Sequence, residues 1–283
     1  MRVRSSVARF AALSLGLLFA VAAQAAQETL LVESINAYRG QVQRCAGQAS
    51  ETLPPLATDP RLVLSASGGE DLQQALTRAA YPMVSAQAIS LSGPRDAQAA
   101  LQMLQESFCQ VVLDPQFVDI GVSQAGRDWR IVLARPLLSA KLGDWQAEGQ
   151  RLLEQLNAAR ARARQCGGQA FAAAPPLSWN AELGVAAEAH SRAMANANFF
   201  AHRGRDGSTP GDRAELAGYN GRQIGENLAA GLDASPRVVE GWLASPGHCA
   251  TLMNPQFRDL GAAYAVDPKS DAGIYWTALF GTP

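Results

Sequence analysis

Aromatic residues are scarce in this chain, at 7% of 283 positions, and histidine occurs only three times. There are four cysteines and no Cys-x-x-Cys pair, which argues against a cysteine metal site. No Gly-x-Ser-x-Gly elbow and no Gly-rich loop after a strand is present, so an α/β-hydrolase serine and a phosphate-binding loop are both disfavoured. Beyond the N-terminus, no stretch is apolar enough to cross a bilayer. Nor is there an excess of basic residues, which removes the electrostatic reason to expect nucleic acid.

The N-terminus itself reads as a secretory signal. Arg2, Arg4 and Arg9 precede an apolar run from Phe10 to Ala22, and Ala23-Gln24-Ala25 offers a small-x-small cleavage site. Residues 1–25 are therefore expected to be removed, with no transmembrane segment left afterwards. The protein is expected in the periplasm or outside the cell. Removal takes away three Arg and no acid and leaves a mature net charge of −4. Export permits disulfides.

The chain resembles itself. Asn36-Ala37-Tyr38-Arg39, Cys45 and Pro54-Pro55-Leu56 recur 121 positions later as Asn157-Ala158-Ala159-Arg160, Cys166 and Pro175-Pro176-Leu177. Cys109 and Asp114-Pro115-Gln116-Phe117 recur 140 positions later as Cys249 and Asn254-Pro255-Gln256-Phe257. This predicts a tandem arrangement, 26–140 and 145–283, with residues 139–144 as a short seam. The two copies are expected to pack on each other. About 19 residues are missing from the middle of the first copy, by difference of these offsets, and the missing piece is expected to cover the loop with Arg213 and a Gly225-Glu226-Asn227 turn. Each copy holds one Cys after its first helix and one before its Pro-Gln-Phe turn, which selects Cys45–Cys109 and Cys166–Cys249 from the three pairings. Closing each loop should stabilise the fold by about 4 kcal/mol.

In the second copy, helical spacing predicts helices over 151–164 and 181–198, the latter capped by Asn180, and a third begins at Ser235. A long loop spans 204–231, and strands occupy 260–266 and 274–280. Helices first and strands last suggest an α+β layered domain.

All three histidines lie in this copy. At the aligned positions the first copy has Phe108 for His248 and Tyr81 for His202. The polar residues are thus dispensable for the scaffold. His202, Glu226 and His248 are expected to meet on the floor of one cleft, with Arg213 and Ser245 beside them. Such a set can form a structural polar cluster, hold a ligand or a divalent cation, or act as acid and base. His190, on the second helix, reads as a packing residue, and Trp242 and Trp276 read as core.

His202 with Ser208-Thr209-Pro210 and Arg213, Gly225-Glu226-Asn227-Leu228, Val239-Glu240-Gly241-Trp242, Ser245-Pro246-Gly247-His248, and Tyr275-Trp276-Thr277-Ala278-Leu279-Phe280-Gly281 together resemble the bacterial branch of the CAP superfamily (cysteine-rich secretory, antigen, pathogenesis-related; also SCP). The resemblance covers nearly all of the second copy; the first looks like the same domain with its cavity motifs degenerate. It implies α+β architecture as tandem three-layer α-β-α sandwiches, with a large cleft lined in the family by two His and two Glu. Some members bind zinc or another divalent cation there. His202, Glu226 and His248 match three of those positions, and the fourth falls on Ser245, so at most a three-ligand site is implied. The resulting expectation is an exported protein binding a small apolar, lipid or cell-envelope ligand, not primarily an enzyme. The rivals are a metal-assisted hydrolase of peptides or envelope polymer, with Glu226 as base, and an interaction module with no small-molecule role.

Overall fold

The computed structural model describes residues 8–50, 52–67, 69–138 and 142–283, with side chains from Gln24 onward. The start of the expected signal segment and residues 139–141 of the expected seam lie outside the described residues. Helix α1 (Ala8–Arg39) runs unbroken past the expected cleavage point at Ala25.

The N-terminal half contains α1, β1 (Ala57–Thr58), α2 (Leu72–Arg78), β2 (Met83–Ser92), α3 (Ala97–Ser107), β3 (Asp119–Ala125) and β4 (Asp128–Pro136). The C-terminal half contains α4 (Trp145–Arg160), β5 (Ser178–Trp179), α5 (Ala181–Ala197), α6 (Pro210–Leu216), β6 (Gln223–Ala230), α7 (Ser235–Ala244), α8 (Pro246–Met253), β7 (Asp259–Val266) and β8 (Ile274–Thr282). Helix α4 starts six residues before the expected 151 because Asp144 caps it, accepting from the Gln146 and Ala147 amides. Helix α5 is capped by Asn180, as expected, and ends where Asn198 turns left-handed at φ 47°.

Each half holds a four-stranded sheet, ordered β1-β3-β4-β2 and β5-β7-β8-β6. The C-terminal sheet is buried on both faces by strand alternation. Ile274, Trp276, Ala278 and Phe280 pack with Leu152 and Leu156 of α4, Val239 and Trp242 of α7, and Leu252 of α8. Leu279 packs with Leu183 and Ala187 of α5, and Tyr275 with Met194. These are the three α-β-α layers. Trp242 and Trp276 fill core as expected, their indole N–H groups donating to the Leu228 and Leu232 carbonyls at 2.8 and 2.7 Å.

The N-terminal sheet keeps one full helical layer, α1 and α3, against Ile89, Ile120 and Ile131. Among the described residues its other face packs on Leu62, Leu64, Leu72, Leu76 and Tyr81, from a short turn at 60–62, α2 and the segments that follow them. The complete second sandwich expected there is therefore reduced on one side.

The same contacts recur at the offsets seen in the sequence. The fully buried Arg39 guanidinium donates to the carbonyls of Pro54, Val112, Asp114 and Phe117. Arg160, also fully buried, donates to those of Pro175, Leu252, Asn254 and Phe257. Asn36 and Asn157 each exchange two hydrogen bonds with the backbone of Leu56 and Leu177. Both expected disulfides are present, Cys45–Cys109 with Cα atoms 5.8 Å apart and Cys166–Cys249 with 5.4 Å. Gly121 and Gly261 occupy matching close approaches. A Cβ at Gly261 would lie 2.0 Å from the Gly184 nitrogen, and one at Gly121 would lie 2.3 Å from the Leu62 backbone.

One expected correspondence is overturned. Tyr81 donates to Asp119 at 2.7 Å, and Tyr219 donates to Asp259 at 2.8 Å. Tyr81 therefore matches Tyr219, not His202. The N-terminal half lacks most of α5 and the loop that carries His202. It retains counterparts of α6 and β6, so Arg213 and Glu226 sit on elements both halves possess. Gly225-Glu226-Asn227 is accordingly strand, not turn.

The halves are joined by a charged cluster. Arg237 of α7 reaches back to Asp119 of β3 at 2.6 Å and lies 3.8 Å from Asp59, which is paired with Arg61. Burial pushes the Asp119 carboxyl up, and the Arg237 charge opposes that push. Val118 packs into the C-terminal core beside Phe199 and Leu228.

Truncating either buried guanidinium would strand buried and half-buried carbonyls without their donor. Arg160→Met is expected to lower the unfolding free energy by roughly 3 kcal/mol in urea titrations at pH 7. A change below ~1 kcal/mol would show that these carbonyls find other partners.

Candidate functional site

Strand β6 is an edge strand, bonded to β8 alone, with Glu226 opposite Leu279. Its alternation sends Glu226 to the face covered by α5 and sends Asn227 to the face covered by α8. The two helical layers thus each bring a histidine to the same open edge.

On the α5 side, the loop after Asn198 turns back over β6. His190 fixes it, its Nε2–H donating to the Ala201 carbonyl at 2.9 Å. The next residue, His202, meets the Glu226 carboxylate through Nδ1 at 2.8 Å. The other carboxylate oxygen accepts from Arg213 Nη2 at 2.7 Å. Arg213 also donates to the His202 carbonyl at 3.0 Å and to the Ser208 carbonyl at 3.1 Å. Helix α6 positions Arg213 through a capping box, in which Thr209 and Asp212 exchange hydrogen bonds across its first turn. The Glu226 side chain is 2% exposed and the His202 side chain 57%. The acid is buried with both oxygens occupied, while the imidazole lies open.

On the α8 side, Asn227 Nδ2 donates to the His248 carbonyl at 3.0 Å, and the Cys166–Cys249 bridge anchors the next residue. The His248 ring is largely buried, and its Nδ1 has no hydrogen-bond partner. Burial, with a smaller contribution from His202, lowers its pKa to about 4, so the ring is neutral at pH 7. Ser245 occupies the N-cap position of α8 without making a cap hydrogen bond through its side chain.

His202, Ser245 and His248 open on one cavity of about 790 Å³. Its remaining wall belongs to the N-terminal half, with Glu33 and Ala37 of α1 and the Leu53 and Pro55 stretch. Phe200 and Leu228 make its C-terminal wall apolar.

The structure therefore brings His202, Glu226 and Arg213 into one bonded cluster and places His202, Ser245 and His248 around one space. It does not make His202, Glu226 and His248 a cation site. Among the described residues no group of three or more His, Cys, Asp or Glu is placed to hold a metal ion. The physical reason is that Glu226 is neutralised by Arg213, whose own charge repels a cation. A metal set of these three residues does not fit. Glu226, the expected base, has both oxygens engaged, one with His202 and the other with Arg213. The role of His190 in holding the His202 loop was missed by sequence reasoning. So was the wall from the N-terminal half, since no motif marks either.

A model of the cysteine-rich secretory protein family (CAP) matches residues 153–280. The chain is 31% identical over 105 residues to the protein YkwD of Bacillus subtilis (strain 168), covering 37% of this chain and 39% of that one. It is 35% identical over 104 residues to the membrane protein YlbC of the same organism, covering 37% and 28%. The matched stretch thus spans well under half the length of either relative. Among solved structures, an extracellular SCP-domain protein from Bacillus anthracis str. Ames is similar with TM-score 0.44 and 19% identity, over 76% of this chain and 72% of that one. An outer surface protein from Borrelia burgdorferi is similar with TM-score 0.42 and 21% identity, over 50% and 96%.

His248 offers a test of the site's electrostatics. Its folded pKa is depressed, so the folded chain takes up that proton less readily than the unfolded chain. Stability from this group is complete above about pH 6.5 and is lost as pH falls towards 4. His248→Phe, the residue that Phe108 supplies in the other half, should flatten the fall in stability between pH 6.5 and 4.5 by ~2 kcal/mol. Identical pH slopes in denaturant titrations of the two proteins would show that the ring is not desolvated. The stretch 153–280, which holds every residue of the His202–Glu226–Arg213 cluster and His248, is the part of this chain that matches the CAP family.

Proposed function

We propose that this is an exported binding protein whose cavity at the β6 edge takes a small apolar or amphiphilic ligand, such as a lipid or a fragment of the cell envelope. The carrying observation is the cavity of about 790 Å³ with apolar walls and a few polar groups at one end. That size and character fall in the usual range for ligand pockets, about 300–1,000 Å³. Export is supported by the basic-then-apolar N-terminus and by two disulfides with no free cysteine among the described residues. In this reading the N-terminal half is a degenerate copy of the CAP domain, as the shared strand order and matching arginine bonds suggest. It has lost its own site and become a wall of its neighbour's.

A second reading has one observation in its favour. His202 is held at Nδ1 by a buried carboxylate, the arrangement that orients an imidazole as a general base. In that reading a hydrolase would use His202, not Glu226, to take a proton from water, and would require no metal.

The binding reading is tested with 1-decanol displacing an environment-sensitive naphthalene dye from the full-length mature chain. Ala37→Trp, which fills the cavity from α1 without touching the C-terminal core, should weaken decanol binding by roughly tenfold or more. Equal affinity in the two proteins would place the dye elsewhere and remove the reading.

A further inference from the structure

The charge on the cavity walls narrows the ligand class, on the reading that the cavity is a binding site. Among the described residues no Lys or Arg side chain lines it, and the carboxylate that does is Glu33 of α1. The nearby cations are committed elsewhere, with Arg39 buried against four carbonyls, Arg213 on Glu226 and Arg237 on Asp119. Glu33, by contrast, is exposed and without a hydrogen bond or ion pair among the described residues.

Glu33 also stands at a junction. Together with Asn36 and Ala244 it lines a second cavity of about 420 Å³ running along the seam between the halves. Glu28 and Glu240 line that second space as well, and its one arginine is Arg237. The field at the junction is therefore negative. His248 does not offset it, being neutral at pH 7. A fatty-acid carboxylate or a phosphate would meet an acid and no cation here. A protonated amine would meet a free carboxylate, with the apolar wall of Leu53, Phe200 and Leu228 beside it to take a hydrocarbon chain.

We propose that the cavity selects amphiphiles bearing a protonated primary amine, held at Glu33, and that the N-terminal half sets this selectivity by contributing that residue. The half that lacks the histidines thereby acts as a specificity element for the half that has them.

The test uses three ligands with one chain: decylamine, 1-decanol and decanoate. Each is titrated calorimetrically into the full-length mature protein at pH 7 and low salt, below its aggregation limit. Decylamine is expected to bind roughly tenfold or more tighter than decanoate. Glu33→Gln should bring the two within about threefold, and Glu33→Lys should reverse their order. The preference should also shrink as salt is raised. Decanoate binding as tightly as decylamine, or an undiminished amine preference in Glu33→Gln, would overturn the proposal and leave the binding reading standing. Failure of all three ligands to bind would overturn both.

Discussion

A carboxylate buried beside an edge strand dictates much of this protein's C-terminal half. Glu226 is almost wholly removed from solvent, and an uncompensated acid there would cost several kcal/mol. Arg213 and His202 supply the compensation, and each arrives on a segment that would otherwise be loose. The turn after α5 and the whole of α6 are thereby tied to β6. The His202 ring ends at the cavity because its other nitrogen is committed to the acid, not because any local sequence preference points it there.

The same logic governs the two halves. Arg39 and Arg160 each gather four carbonyls that have no strand or helix partner, fixing the return of the chain after its Pro-Gln-Phe turn. Burial lowers their pKa values to about 9 and about 10, so both stay charged at neutral pH and keep their full set of donors. Where the halves meet, the pattern changes. Asp119 and Asp259 are equivalent in receiving a tyrosine hydroxyl, yet Asp119 alone also receives an arginine from the opposite half. Shared framework and unique seam can be told apart in this way, bond by bond.

Much of this was legible in the residues. The offsets of 121 and 140 picked the two disulfides, because they give each cysteine of one pair a counterpart in the other. The Asn180 cap and the α5 helix followed from local chemistry, as did the alternating strands. What was not legible depended on tertiary contacts. Tyr81 was aligned with His202 because sequence offset alone cannot say which residues were deleted; the hydrogen bond to Asp119 can. Gly225-Glu226-Asn227 read as a turn because its glycine and polar residues resemble turn chemistry, whereas the pairing with β8 makes it strand. The meeting of His202 and His248 at one cleft was legible, as was the chance that Arg213 pairs with an acid there; that this acid is Glu226 itself, which rules out a metal set, needed the tertiary contacts. Nothing in α1 announced that Glu33 would line the same cavity as the histidines, since that depends on how the two halves pack.

The Arg237–Asp119 pair spans 118 positions of the chain. During synthesis the N-terminal sheet emerges with a buried acid whose counter-ion has not yet been made. Until α7 is made, Tyr81 is the side chain of its own half that bonds this acid, and the ion pair that ties the two halves together is the last of its contacts to form.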